Sequence, residues 1–344
     1  MQILVFNAGS TSLKYKLFEA KTLNVVQAGN FQHLKQGEHI QACRDTLRAI
    51  KYLTDIKIVG HRVVHGGPEF REPTSVNDEV FKKISQYNYL APLHNPYNLA
   101  VIQASRIYLS NVPHLAVFDT GFFVNLPLRA KIYSLPIKYY KEHGIQRYGF
   151  HGISHQYVAS EAAKILKKDV KKINLITCHL GGGCSITAIK KGQPIDTSMG
   201  FTPLEGLTMM SRSGDIDPGL IFYLNEALYL SYQEIYDLLH HESGMIGLYG
   251  TSNFLKLLRA VKRGNKKAQL AFEIFIYKIQ KYISAYWGIL GDVQAVVFTG
   301  AIGAGDPFTR KKIIEPLKFL KKTKILAIST DEELAIAQEC LKFL

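Results

Sequence analysis

Two arginines stand where an anion-binding chain would place them. Arg62 closes an apolar strand pattern that runs from Ile56 to Val64, and Arg212 lies in the polar loop Ser211–Pro218 beside Asp215 and Asp217. A guanidinium can hold a carboxylate or a phosphate with two parallel hydrogen bonds. An arginine on an apolar strand is costly to bury unless paired, so Arg62 could equally hold a structural carboxylate. Asp119 ends a second buried-strand pattern, His114–Phe118. Strand ends are where α/β sheets place ligands, and nucleotide and Mg2+ sites often use such a carboxylate. His151, between Phe150 and Gly152, reads on its own as a core histidine satisfied by its neighbours.

A second feature is a glycine turn between two strands. Asn174–Cys178 is apolar, His179-Leu180-Gly181-Gly182-Gly183 turns, and Ser185–Ile189 leads out again. Without a Cβ in the way, such a turn lets amide N–H groups approach a phosphate closely. Taken alone it is a weak sign. It has an echo at the N-terminus. There Gln2–Phe6 reads as a strand, Asn7-Ala8-Gly9-Ser10-Thr11-Ser12 as a small polar turn, and Leu13–Phe18 as the return, with Lys14 just after the turn. A repeated hairpin suggests two related halves, each touching phosphate. Any β-hairpin also needs small turn residues, which is the plainer account of each copy.

The elements that must position these groups are legible in outline. The chain has 344 residues, enough for two domains, and 47 % hydrophobic with 20 % charged residues fits a globular protein with real cores. Strand patterns come first and then alternate with helical ones, twice over, which argues for two α/β domains around a cleft. Helices are expected at 37–52, 79–87, 97–109, 154–166 (with Ser154 as N-cap), 220–228, 232–239, 266–290 and 331–343. A very apolar strand is expected at 293–299 and a last one at 324–328. No apolar run approaches the roughly 18 residues of a membrane span, and no signal-peptide pattern opens the chain. The four cysteines lack zinc spacing and read as reduced thiols of a cytoplasmic protein. The formal charge of +14 raises nucleic acid as a partner. The lysines come in pairs without interleaved aromatics, however, so a solvated surface, one that also draws in small anions, is the expectation.

Longer motifs then come into view: FNAGSTSLKYKLF (6–18), GHRVVHGG (60–67), LAPLHNP (90–96), VFDTGF (117–122), RYGFHGISH (147–155), DTSMGFTPLEGL (196–207), SRSGDIDP (211–218) and TDEELAIA (330–337). In this order, over nearly the whole chain, they resemble the acetate kinase family. Through it they resemble the acetate and sugar kinase, heat-shock ATPase and actin superfamily. The resemblance implies two actin-like (ribonuclease H-like) domains with a duplicated βββαβαβα core and an interdomain cleft. Residues 1–150 would form one domain, completed by the C-terminal helix 330–344, and 151–329 the nucleotide-side domain. It implies reversible phosphoryl transfer between ATP and acetate, giving acetyl phosphate and ADP with Mg2+, by a homodimer whose domains close on ligand.

Residue by residue, the resemblance makes Arg62 and Arg212 the pair that holds acetate and the transferring phosphoryl group. It makes His151 the transition-state histidine and Asp119 the catalytic aspartate. Asn7 falls on the phosphate and metal side, with Ser10, Ser12 and Lys14 matching more weakly, and Glu332 is the Mg2+-associated glutamate. Val64, Leu93, Phe150 and Pro203 match the pocket for the acetate methyl. His179, Gly181, Gly182, Gly183, Gly300, Ala301 and Gly303 fall on the nucleotide phosphates. The chemistry agrees. A carboxylate nucleophile is already ionised at neutral pH, so the difficulty is to bring two anions together, and cations do that.

The departures gather on the nucleotide side. Gly182 replaces the family's Asn. Phe254 and Lys256 stand where a nucleotide loop usually has Asp-x-Arg. Ala301-Ile302-Gly303-Ala304-Gly305 replaces Gly-Ile-Gly-Glu-Asn, and the chain is short for the family. Lost side-chain hydrogen bonds should weaken base or ribose recognition. Three other readings follow: a propionate-preferring acyl kinase, an enzyme with an altered donor such as pyrophosphate, and a silent sensor of acetyl phosphate.

Overall fold

The computed structural model describes residues 1–35 and 37–344, which divide into two compact units. The first comprises Met1–Val124, His151–Tyr157 and Asp331–Leu344; the second comprises Asn125–Phe150 and Val158–Thr330.

In the first unit, β1 (Gln2–Ala8), β2 (Ser12–Glu19), β3 (Val25–Gln32), β4 (Ile56–Val63), β5 (Thr74–Ser75) and β6 (His114–Phe118) form one sheet. Its order is β3-β2-β1-β4-β6-β5. β1–β2–β3 is an antiparallel meander, while β4 and β6 add in parallel. Helices α1 (Glu38–Ala49), α2 (Asp78–Gln86) and α3 (Asn95–Tyr108) belong to this unit. In the second unit, β7 (Asn174–Leu180), β8 (Cys184–Lys190), β9 (Gln193–Thr197), β10 (Ala295–Thr299) and β11 (Lys324–Ala327) form a sheet of order β11-β10-β7-β8-β9. Again three strands are antiparallel and two more add in parallel. The two sheets repeat one plan, so the duplicated actin-like core is present.

Period-two alternation explains how the first sheet is covered. Leu4, Phe6, Leu13, Tyr15 and Leu17 face α1 and α3 in one core. Ile3, Val5, Phe18, Ile58, Leu115 and Val117 face the C-terminal helix in another. Gly60 is required there, because a Cβ would stand 2.5 Å from Ile336 and 2.7 Å from Cys340.

The remaining helices are α4 (Leu128–Lys131), α5 (Lys138–His143), α6 (Gly152–Leu166), α7 (Gly219–Glu226), α8 (Tyr232–Asp237), α9 (Gly244–Tyr249), α10 (Phe254–Lys262), α11 (Lys266–Leu290), α12 (Gly300–Gly303), α13 (Pro307–Ile314) and α14 (Glu332–Leu341). The 25-residue α11 begins where Asn265 accepts from Ala268 N–H and stops at Gly291, whose φ is 75°. It packs on β8 and on α10.

Of the boundaries that differ from the pattern reading, three have local reasons. Helix α3 begins at Asn95, because Pro96 lies in its first turn, where a missing N–H costs nothing. Helix α6 begins at Gly152, two residues before Ser154, because the His151 carbonyl already accepts from His155 N–H. Helix α8 runs into a π-turn, Leu238–Glu242. Among the described residues no helix is long and apolar enough to cross a membrane, and all four cysteines are buried and unbridged.

Candidate active site

The alternation that builds the first core also builds a polar cluster above it. On the C-terminal helix face, β1 presents Ile3, Val5 and then Asn7; β4 presents Ile58, Gly60 and then Arg62; β6 presents Leu115, Val117 and then, just past its end, Asp119. Three neighbouring parallel strands therefore end in an amide, a guanidinium and a carboxylate. Above them α14 starts with Asp331 as N-cap and Glu332 and Glu333 in its first turn.

The contacts are dense. Arg62 donates through Nε (3.1 Å) and Nη2 (2.5 Å) to the same Asp119 oxygen, Oδ2. Its Nη1 donates to Asn7 Oδ1 at 3.3 Å, and its Nε lies 3.7 Å from Glu332 Oε2. Asn7 Nδ2 donates to Glu332 Oε2 (3.0 Å) and to Glu333 Oε1 (2.6 Å). Burial pushes the Asp119 carboxyl up to about 6, against the pull of Arg62, and Glu332 pushes the same way. Burial also works against the Arg62 charge, but Asp119 and Glu332 outweigh it and hold that guanidinium protonated. Asp119 Oδ1 is buried and has no hydrogen-bond partner. A buried carboxylate oxygen left open, with a second carboxylate and an amide beside it, suits a hard cation that completes its shell from water and phosphate.

Other sequence-predicted groups surround this cluster. His151 has a φ of 58°, a left-handed conformation that costs a non-glycine residue about 1–2 kcal/mol. It is placed by Gly152, whose N–H donates to the Asp119 carbonyl at 2.9 Å and whose Cβ would meet that oxygen at 2.2 Å. Val64 is buried and Leu93 partly so. Ser10, Ser12 and Lys14 lie on the β1–β2 turn and the strand after it, with Lys14 exposed. Lys16, two residues on, reaches the cluster: its Nζ is 2.7 Å from Asp331 and 3.4 Å from Glu333. Asn95 and Asn98, fully buried on α3, brace the chain beyond β4. Asn98 accepts from Val64 N–H and donates to the Ala8 carbonyl, and Asn95 pairs with both backbone groups of His65. Glu333, Lys16 and Asn98 were not singled out from sequence. The only signals were the second Glu of TDEELAIA and an Asn–Asn pair three apart.

The second unit carries its own site. Arg212 donates from Nη1 to the Pro203 carbonyl at 3.3 Å and lies 3.8 Å from Met209 Sδ. Among the described residues no carboxylate pairs with it, and burial draws its pKa down. The loop is held on the π-turn: Ser211 Oγ donates to the His240 carbonyl and Ser213 N–H to that of Leu239. Met210 N–H reaches the Gly182 carbonyl at 3.3 Å, so the glycine hairpin and the Arg212 loop are neighbours. Gly300, at φ 76°, packs against Leu180, where a Cβ would meet the Leu180 carbonyl at 2.5 Å. That brings Gly300, Ala301 and Gly303 beside Gly181 and Gly183, with His179 on the strand below. Arg310, unnoticed in the sequence, closes this turn by donating to the Gly303 and Ala304 carbonyls. Phe150 is fully buried and Pro203 partly exposed. The 198–207 segment rests on a polar triad in which Tyr133 and Arg147 donate to opposite oxygens of Glu205.

Two actin-like cores, with an arginine–carboxylate cluster on one and a glycine hairpin beside an unpaired arginine on the other, define a class: the phosphotransferases of the acetate and sugar kinase superfamily. Comparison with known proteins narrows it. The Acetokinase family matches residues 27–339, and the chain belongs to that family. The acetate kinase of Halothermothrix orenii is 41 % identical over 391 residues, covering 98 % of each chain. The crystal structure of Porphyromonas gingivalis acetate kinase superposes with a TM-score of 0.90 at 34 % identity, covering 99 % of both chains. That of a Francisella tularensis propionate kinase does so with 0.91 at 35 %, covering 98 % of both. The chain is thus a phosphotransferase with a carboxyl group as acceptor. Because the alignment of 391 residues takes in nearly all of a 344-residue chain, its shortness relative to that relative is internal.

Proposed function

We propose that this protein transfers the γ-phosphoryl group of ATP to acetate, reversibly and with Mg2+, giving acetyl phosphate and ADP. The observation that carries the reading is Arg212, a partly buried guanidinium with a carbonyl but, among the described residues, no anion beside it. A partly desolvated cation without a counter-ion gains when a ligand supplies one.

The acetate carboxylate needs no base, since it is ionised at neutral pH. Arg62, aimed by Asp119 and Asn7, neutralises it, and Val64, Leu93, Phe150 and Pro203 receive its methyl. Arg212 and His151 take up charge on the phosphoryl oxygens as the bond to the leaving oxygen breaks and the bond to the carboxylate oxygen forms. Ser10, Ser12, Lys14, His179, Gly181, Gly182 and Gly183, with Gly300, Ala301 and Gly303, hold the nucleotide phosphates through backbone N–H groups and short side chains. Asn7 and Glu332, beside the open Asp119 oxygen, would hold Mg2+, which screens the phosphate charge when bound. A homodimer in the cytoplasm, acting on small molecules rather than nucleic acid, completes the reading.

Propionate is a second substrate, since one methylene changes selectivity by only about 1–3 kcal/mol. The similarity to a propionate kinase supports this. A donor other than ATP is favoured by one observation: Gly182 is exposed and leaves open space where a side chain could contact nucleotide. Trapping the acyl phosphate with hydroxylamine tests both points, using acetate and propionate against ATP, GTP and pyrophosphate. Acyl hydroxamate from acetate and ATP, lost in Arg212→Ala, is expected. No product with any acid or donor would overturn the reading.

A further inference from the structure

From Ser243 to Phe272 the chain carries no Asp or Glu but six basic residues, Lys256, Arg259, Lys262, Arg263, Lys266 and Lys267. The segment folds as α9, α10 and the start of α11. Phe254, Leu257 and Leu258 turn inward from α10. Lys256 and Arg259 on another stripe of that helix, and Arg263 just past its end, follow at spacings of three and four and stay exposed. They line a cavity of about 560 Å3 together with Tyr249 from the end of α9 and Asn265. Lys262 lies elsewhere, over the Phe308 ring.

Every charged group lining this cavity is positive, and the polar ones can donate. Among the described residues none of Lys256, Arg259 and Arg263 has an ion pair or a side-chain hydrogen bond. The Asn265 oxygen is taken by Ala268 N–H, so its amide offers only donors. Like charges three and four apart on a helix repel one another. Among the described residues no carboxylate pairs with them, although the chain has 28 carboxylates to place. Two guanidinium forks one helical turn apart match tetrahedral phosphate oxygens better than a single carboxylate.

We propose that this cavity is an anion site for a small oligophosphate, apart from the residues assigned to phosphoryl transfer. None of the glycines of the 181–183 and 300–303 turns lines it. Lys256 alone falls in the loop that resembles the family's nucleotide contacts, so the test leaves it intact.

The test is calorimetric titration of sodium tripolyphosphate into the full-length protein at constant ionic strength, for wild type, Arg212→Ala and Arg259→Gln/Arg263→Gln. The wild type should show a saturable site that survives in Arg212→Ala and weakens at least about tenfold in the double variant. The double variant should keep kcat and the ATP KM within about twofold, since both positions are exposed surface. Identical isotherms for wild type and double variant would reduce the cavity to a screened basic surface and overturn the proposal. A raised ATP KM in the double variant would give the cavity to the nucleotide and overturn it too. The binding readout does not depend on kinase activity, so an inactive protein would still decide it.

Discussion

Removing Arg62 isolates a buried carboxylate, and the result can be worked through in advance. Asp119 is 1 % exposed, and two nitrogens of Arg62 hold one of its oxygens. Breaking a buried pair from one side typically costs about 3–5 kcal/mol. In Arg62→Ala, Asp119 keeps the upward push of burial and of Glu332 and loses the pull that opposes them, so its pKa should rise above the value of about 6. The sign then follows. An unfolded aspartate titrates near 4, so the folded variant binds a proton that the unfolded chain lacks over the window between that value and its own raised pKa. Stability falls as pH rises through that window, by about 1.4 kcal/mol per pH unit, and levels off above it. In wild type the window ends near 6; in Arg62→Ala it extends further. The stability deficit of the variant should therefore be small at pH 5 and reach about 3 kcal/mol by pH 8. Calorimetric melting temperatures of wild type and variant across that range would show it. Arg62→Ala/Asp119→Asn should recover most of the deficit at pH 8, since no buried charge is left alone. A deficit independent of pH, or a double variant no better than the single, would refute the reasoning.

The other predictions are simpler. Arg212→Ala removes an unpaired cation, so it should leave the melting temperature unchanged or raised while kcat falls by about 10²–10³, the effect of deleting one transition-state donor. Turnover of the wild type should fall on the acid side of neutrality, because burial raises the Asp119 carboxyl and favours its neutral form; a flat pH profile from 7 to 5 would contradict that. Gly182→Asn enters open space, so it should fold normally and lower the ATP KM, read from steady-state kinetics. Gly152→Ala would press a Cβ into the Asp119 carbonyl, and should destabilise by about 1–3 kcal/mol and lower kcat through displaced His151.

Much of the site was legible because strand alternation is simple. Asn7, Arg62 and Asp119 each end an apolar strand pattern, and once the strands lie side by side in register the three meet. The glycine hairpin and its N-terminal echo likewise gave the duplication. What sequence did not show depends on chain closure over long separations. Glu333 meets Asn7 across 326 positions, and nothing local distinguishes it from a surface glutamate. Arg310 and the Tyr133–Glu205–Arg147 triad are supports for loops, and their partners are backbone carbonyls or distant side chains that no spacing rule connects. The start of α6 is marked by the His155 N–H bond to the His151 carbonyl, and the long-range contact of Gly152 with Asp119 holds it there, away from the serine that capping preference would choose. Arg259 and Arg263 drew no notice because an amphipathic pattern alone puts lysines and arginines outward; the missing carboxylates become informative only beside a cavity.

The central claim is that an acetate oxygen attacks the γ-phosphorus of ATP. Phosphorus NMR on the full-length protein with ATP, Mg2+ and acetate labelled with oxygen-18 follows this bond directly. The account predicts acetyl phosphate whose resonance carries the isotope shift of one bridging oxygen-18, accumulating about a hundredfold or more slowly with Arg212→Ala. Inorganic phosphate alone, or acetyl phosphate without the bridging label, would contradict it.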